Sequence, residues 1–234
     1  ERLQLSAEEV EQELQEIEEQ LQQNPGDQKL LRRAAKLREM AKDLAGALDL
    51  VEQLLKKAPG DADLMDQAGD LRIRLQEQMV QKAEKRGDEA AATRARAALA
   101  QLRVGEARRR VERNPSDLGA RFELGSGLLG SGDVDAAIAE LQQAVKDPRK
   151  KTEAMFLLGQ AFQQKGLPDL ALGQYDKALQ GAGTGAVAKE ALYQMGSICE
   201  SQGKAAEALA HFTKILEQDI GFRDVAKKVE ALKG

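Results

Sequence analysis

Two residue types that build most metal and redox sites are nearly missing: the 234 residues contain one histidine, His211, and one cysteine, Cys199. A structural zinc or iron site needs several such ligands converging, so none is expected, and neither an internal disulfide nor a dithiol pair can form. A lone thiol fits a reducing cytoplasm better than an oxidising compartment. Tryptophan is absent, aromatics make up 3%, and none occurs before Phe122. The first half therefore has no platform on which bases could stack. There is no basic excess either, with 35 Lys and Arg against 39 Asp and Glu and a formal charge of −4. Nucleic acid, which needs a net basic face, is disfavoured as a partner. No apolar run reaches the roughly 18 residues needed to span a bilayer, and Glu1-Arg2-Leu3-Gln4 has no signal-peptide character. The chain starts with Glu1 and not Met, which leaves room for an upstream targeting or anchoring segment. The given residues are expected to be soluble and cytoplasmic.

What is present is rich in Ala, Leu, Glu, Gln, Arg and Lys, the residues that lose least on entering a helix, and the class expected is all-α. Gly125, Gly159 and Gly196 mark a repeat. The first interval is 34 residues, and Gly132/Gly166, Ala137/Ala171 and Ala144/Ala178 keep the same spacing. Each unit reads as two antiparallel helices: helix A near 118–131, a turn at Gly132 and helix B near 133–146, repeated from Thr152 and again from near Lys189. Small residues such as Gly159 and Ala171 facing large ones such as Leu158, Phe162 and Tyr175 let the two helices approach closely. A solenoid of helical hairpins follows. The segment from Gly181 to Gly185 reads as an interhelix loop, since it lacks the Lys-Ser/Thr ending of a phosphate-binding loop and follows a helix. A short last helix carrying Val225, Val229 and Leu232 is expected to cap the open end.

Prolines keep the phase upstream, at Asn24-Pro25, Ala58-Pro59 and Asn114-Pro115. Pro25 to Pro59 is one 34-residue unit, whose first helix carries a basic face of Arg32, Arg33, Lys36 and Arg38. Pro59 to Pro115 is 56 residues, with Gly87-Asp88 near its middle. Each helix of this hairpin, 62–113, is therefore about 11 residues longer than usual, roughly 16 Å of extra length. Its seams are read as Leu64, Ala68, Leu71, Leu75 and Met79 against Ala91, Ala95, Ala98 and Leu102. At the start, Ser6 with Glu9 makes a capping box, and Val10, Leu14, Ile17 and Leu21 give the helix at 6–23 an apolar stripe opposite an acidic face. That stripe needs a partner, either the next unit or another molecule. The organisation expected is 1–114, holding this helix, the degenerate repeats and the long hairpin, continuous with 115–234, holding three clear repeats and the cap.

The pattern Leu124-Gly125, Leu158-Gly159 and Met195-Gly196, then Ala137, Ala171 and Ala208, then Leu141, Tyr175 and Phe212, resembles the tetratricopeptide repeat. The match is specific over about 115–220 and looser over 25–115. Absence of Trp and a one-residue displacement of the helix-A aromatic suggest a divergent, bacterial-type branch. The resemblance implies a right-handed solenoid, no chemistry or cofactor of its own, and a concave groove of A helices that binds a protein or peptide segment. Carried over position by position, the groove residues are Phe122, Ser126 and Leu129; Phe156, Gln160 and Gln163; and Tyr193, Ser197 and Glu200. Three aromatics at one repeat position are either a binding track or packing between successive A helices. The Lys and Asn that clamp a terminal carboxylate in one branch of the family are missing here.

Enzymatic function has no support in the sequence. Cys199 falls at an inward position of a helix, His211 has no Ser or Asp partner set, and Glu8-Glu9 and Glu18-Glu19 lie on one solvated helix. The run Arg103, Arg108, Arg109, Arg110 and Arg113 reads either as a solvated face balanced by Glu106 and Glu112 or as a basic patch. The leading reading is a non-catalytic interaction scaffold. Two others stay open: a linker tethering a filament or complex to an anionic membrane through the Arg-rich hairpin, and a self-assembling scaffold using the helix at 6–23.

Overall fold

The computed structural model describes residues 6–233, and every regular element among them is an α-helix. The chain divides into two compact units, 1–102 and 103–234. The first holds α1 (Ala7–Gln23), α2 (Gln28–Met40), α3 (Leu44–Lys57), α4 (Ala62–Lys85) and the start of α5 (Glu89–Arg113). The second holds the end of α5, then α6 (Leu118–Ser131), α7 (Val134–Ala144), α8 (Lys151–Gln164), α9 (Pro168–Ala182), α10 (Ala186–Ser201), α11 (Ala205–Leu216) and α12 (Val225–Lys233). Hairpins α2/α3, α6/α7, α8/α9 and α10/α11 pack internally, and α3, α7, α9 and α11 each pack on the helix that follows. The long hairpin has the expected proportions, its helices being 24 and 25 residues long.

Two turn chemistries, each recurring, set this geometry. Inside each hairpin one residue takes a left-handed conformation: Lys42, Gly87, Gly132, Gly166 and Gly203, at φ of 63°, 68°, 87°, 73° and 74°. The N–H of the next residue then returns five residues, from Asp43 to Arg38, Asp88 to Ala83, Asp133 to Leu128, Leu167 to Phe162 and Lys204 to Cys199, at 2.9–3.2 Å. This Schellman-type closure satisfies carbonyls left over at the helix end. Between hairpins the signal is Pro-x-Asp. The N–H groups of Asp27, Asp61 and Asp117 donate to the carbonyls of Asn24, Ala58 and Asn114, and their carboxylates accept from Leu30, Leu64 and Ala120. One residue thus ends a turn and caps the next helix.

Packing follows the predicted pairing of small against large. A Cβ built on Gly125 would lie 2.8 Å from Leu141 Cγ, on Gly159 2.5 Å from Tyr175 Cε1, and on Gly196 2.7 Å from Phe212 Cε1. Leu141, Tyr175 and Phe212 are wholly buried. In the first unit the stripe of α1 finds its partner within the chain: Val10 and Ile17 are buried with Ala34 and Leu37 of α2. The acidic face of α1 meets the basic face of α2 through Glu13–Arg33 and Glu18–Arg38. The glycine segment is shorter as a loop than expected. Helix α9 continues through Gly181 to Ala182, so only Gly183–Gly185 connects.

The distal seam of the long hairpin departs from expectation. Ala92 is wholly buried, whereas Ala91 and Ala95 are half-buried, Ala98 is exposed and Met79 is 56% exposed. Alanine side chains on α5 are too short to cover the flank of α4, and an open cleft of about 530 Å³ runs between Gln76, Met79 and Ala83 on one side and Ala91, Ala95 and Ala98 on the other.

Candidate functional site

In the second unit, helices α6, α8 and α10 bring the carried-over residues to corresponding positions. Phe122, Phe156 and Tyr193 are each half-buried, and Phe122 and Phe156 pack partly against the A helix of the next repeat. Phe122 lies against the cluster of Leu141, Ala154 and Leu158, with the Lys150 ammonium 4.9 Å from its ring centre. Phe156 tilts against Tyr175 with centroids 5.6 Å apart. Tyr193 meets Phe212 and Phe222 edge-on at 5.8 and 6.2 Å. The stripe therefore contributes to packing, and part of each ring stays accessible.

One position further along the same face, Ser126, Gln160 and Ser197 are half-exposed. The third carried-over position behaves differently in each repeat. Leu129 leaves the face altogether: at 6% exposure it is buried with Ala107, Leu124, Leu128 and Ala161, because an apolar side chain there gains by entering the core between hairpins. Gln163 accepts a hydrogen bond from the buried Tyr175 hydroxyl at 2.8 Å, which positions the tyrosine. Burial pushes the Tyr175 phenol well above its ordinary pKa, so it remains a donor. Glu200 pairs with Lys228 of α12, whose ammonium is held above its usual range by that bond.

Sequence reasoning did not foresee how much of the third repeat's face the C-terminal cap takes. Tyr193 donates to Asp224 at 2.8 Å and lies under the Arg223 guanidinium at 4.6 Å. Arg223 also pairs with Glu190, and Lys189 with Asp219. Asp224 is held below the usual carboxylate range by the Tyr193 hydrogen bond, and Asp219 by its bond to Lys189. The cap thus uses Glu190, Tyr193 and Glu200, while Ser197 stays half-exposed between them. The open part of the face is Phe122 with Ser126 and Phe156 with Gln160.

The arginine run is divided by pairing more than by direction. At about 100° per residue, Arg103, Arg109, Arg110 and Arg113 fall within about 120° of one another on α5, and Arg108 points elsewhere. Arg109 pairs with the buried Glu106, and Arg110 lies 3.5 Å from Glu123. Cys199 is buried, and burial first, then Glu207, raises its thiol pKa. His211 is half-buried, and burial lowers its pKa, so it is neutral at pH 7.

Family models described as tetratricopeptide repeat match residues 122–187 and 189–219, the stretch in which the glycine-to-large-residue pairs recur. The matched residues are tetratricopeptide repeats. Solved structures with the same fold include a MamA protein, with 20% identity and a TM-score of 0.61 over 86% of this chain and 94% of that one. YrrB, described as a TPR protein with an unusual peptide-binding site, gives 19% identity and a TM-score of 0.58 over 93% and 98%. MamA 41-end from Desulfovibrio magneticus RS-1 gives 19% and 0.57 over 82% and 96%. No curated protein matches the chain significantly. The fold is that of a TPR solenoid, a class of repeats that serves in general as a non-catalytic protein-interaction scaffold. No helix among the described residues is long and apolar enough to cross a membrane.

Proposed function

We propose that this protein is a non-catalytic adaptor that binds an extended or helical segment of a protein partner along the A-helix face of α6 and α8, with Ser197 of α10 at its edge. The observation carrying this reading is the division of labour on that face. The core behind it is complete, yet Phe122, Phe156, Ser126 and Gln160 keep accessible surface, with the Lys150 ammonium beside the Phe122 ring. Half-exposed rings beside small polar groups supply contact area at low entropic cost and directional bonding to a backbone. YrrB, a neighbour of the same fold, is described as having an unusual peptide-binding site, which supports a peptide segment as the class of partner. The adaptor reading is preferred to a membrane linker because two arginines of the α5 run have carboxylate neighbours, Arg109 with Glu106 and Arg110 with Glu123. It is preferred to self-assembly because the stripe of α1 is covered by α2.

The rings themselves are poor probes, since truncating them disturbs packing. Ser126→Arg together with Gln160→Arg blocks the face from outside the core. In capture from native lysate followed by mass spectrometry, a partner retained at both low and high salt is expected to be lost with the double variant, while its helical circular dichroism and melting temperature stay those of the parent. Retention of every salt-resistant partner by the folded variant would overturn the proposal.

A further inference from the structure

The distal cleft of the long hairpin, far along the sequence from the face just described, carries an independent inference. Its floor is apolar and small, with Met79, Ala91, Ala95 and Ala98 partly or fully accessible. Its rim carries three cations, Lys82, Arg86 and Arg94. None of the three makes an ion pair or side-chain hydrogen bond among the described residues. This contrasts with Arg96 nearby on α5, which is held by Glu84 at 2.7 Å and Glu89 at 3.5 Å. Arg32, Arg33, Arg38, Arg74, Arg121 and Arg223 are likewise paired with carboxylates. Lys82 and Arg86 complement the negative end of α4, but Arg94 lies in the second turn of α5, where the helix dipole offers it nothing. Asp88, the one acidic group at the cleft, is committed to capping α5 through the N–H of Ala91.

We infer that this cleft is a second docking site, and that its occupant is an acidic, apolar helical segment of a protein partner, with its large side chains on the alanine floor and its carboxylates facing Lys82, Arg86 and Arg94. Methionine in the lining is the side chain that adapts most readily to such an occupant. Arginine favours carboxylates because its planar fork binds both oxygens. A concave floor with cations confined to its rim suits a helix better than it suits a flat lipid surface.

The test uses the full chain labelled with nitrogen-15 and three 16-residue amphipathic peptides sharing one leucine stripe, flanked by Glu, Gln or Lys, with phosphatidylserine vesicles as a fourth probe. The Glu-flanked peptide is expected to shift the amide signals of Met79, Ala91, Ala95 and Ala98 and to bind at least about tenfold tighter than the Lys-flanked one at low salt. Arg86→Glu with Arg94→Glu is expected to remove that preference, whereas Arg108→Glu leaves it unchanged. Lack of shifts at these four residues at millimolar Glu-flanked peptide, equal binding of all three peptides, or shifts induced by the vesicles alone would each refute the site.

Discussion

At the residue scale, the repeat rests on single atoms. Gly159 is required because Tyr175 occupies the space its Cβ would take, and Tyr175 is fixed by burial and by Gln163. Gly159→Ala is expected to cost about 1–3 kcal/mol in urea denaturation, whereas Gly173→Ala, at an exposed helical position with nothing within 4 Å of the new methyl, is expected to stabilise by about 0.5–1 kcal/mol. Equal effects at the two positions would refute the close-approach account. The same turn geometry that uses glycine four times uses Lys42 once, at φ 63°. Lys42→Gly relieves the left-handed strain and is expected to raise the unfolding free energy by about 0.5–1 kcal/mol. Cys199, buried and with its thiol pKa raised, is expected to resist a thiol reagent at pH 8 in the native protein and to react at once in denaturant. The Gly and small-large pairs were legible in the sequence because steric exclusion leaves a residue-type signature. The left-handed turn at Lys42 was not, since a lysine there announces nothing.

At the scale of the helix and its connections, aspartate links phase to stability. Backbone donation from Gly46 lowers the Asp43 pKa and donation from Leu64 lowers that of Asp61, with the Arg38 and Arg32 guanidiniums adding to each. Asp219 is lowered by Lys189, and Asp147 by Arg149. A carboxylate whose folded pKa lies below its unfolded value near 3.9 contributes its full stabilisation above that value and loses it as pH falls through the folded one. Urea midpoints are therefore expected to be flat from pH 7 to about pH 5 and to drop steeply below about pH 4. A midpoint independent of pH down to 2.5 would contradict this. Asp43→Ala is expected to cost about 0.5–2 kcal/mol at pH 7. Helix lengths and hairpin boundaries were legible from proline and glycine spacing. The ion pairs that join elements were less so: the acidic face of α1 and the basic face of α2 were each visible, but their meeting depends on packing that periodicity alone does not give. The alanine seam of α5 failed for the same reason. Periodicity identifies a face, but not whether alanine is long enough to close the gap.

At the scale of the molecule, one repeat supplies both the fold and the surface proposed for a partner. Each C-terminal hairpin closes its own core with a glycine and a large residue, so the outer positions of helix A are free to vary. Ser126, Gln160 and Ser197 occupy one such row. Which rows remain open was only half legible. Leu129 reads as groove by position but is core by chemistry, and the third repeat's row is shared with a cap whose grip through Arg223, Asp224 and Lys228 could be seen only once the chain was folded. The most direct test of the account is site-specific photocrosslinking, with benzoylphenylalanine placed at Gln160 on the proposed face or at exposed Gly173 on α9. The captured partner is predicted to crosslink from position 160 and not from position 173; crosslinking from 173 alone, or equally from both, would contradict a partner bound along the A-helix face.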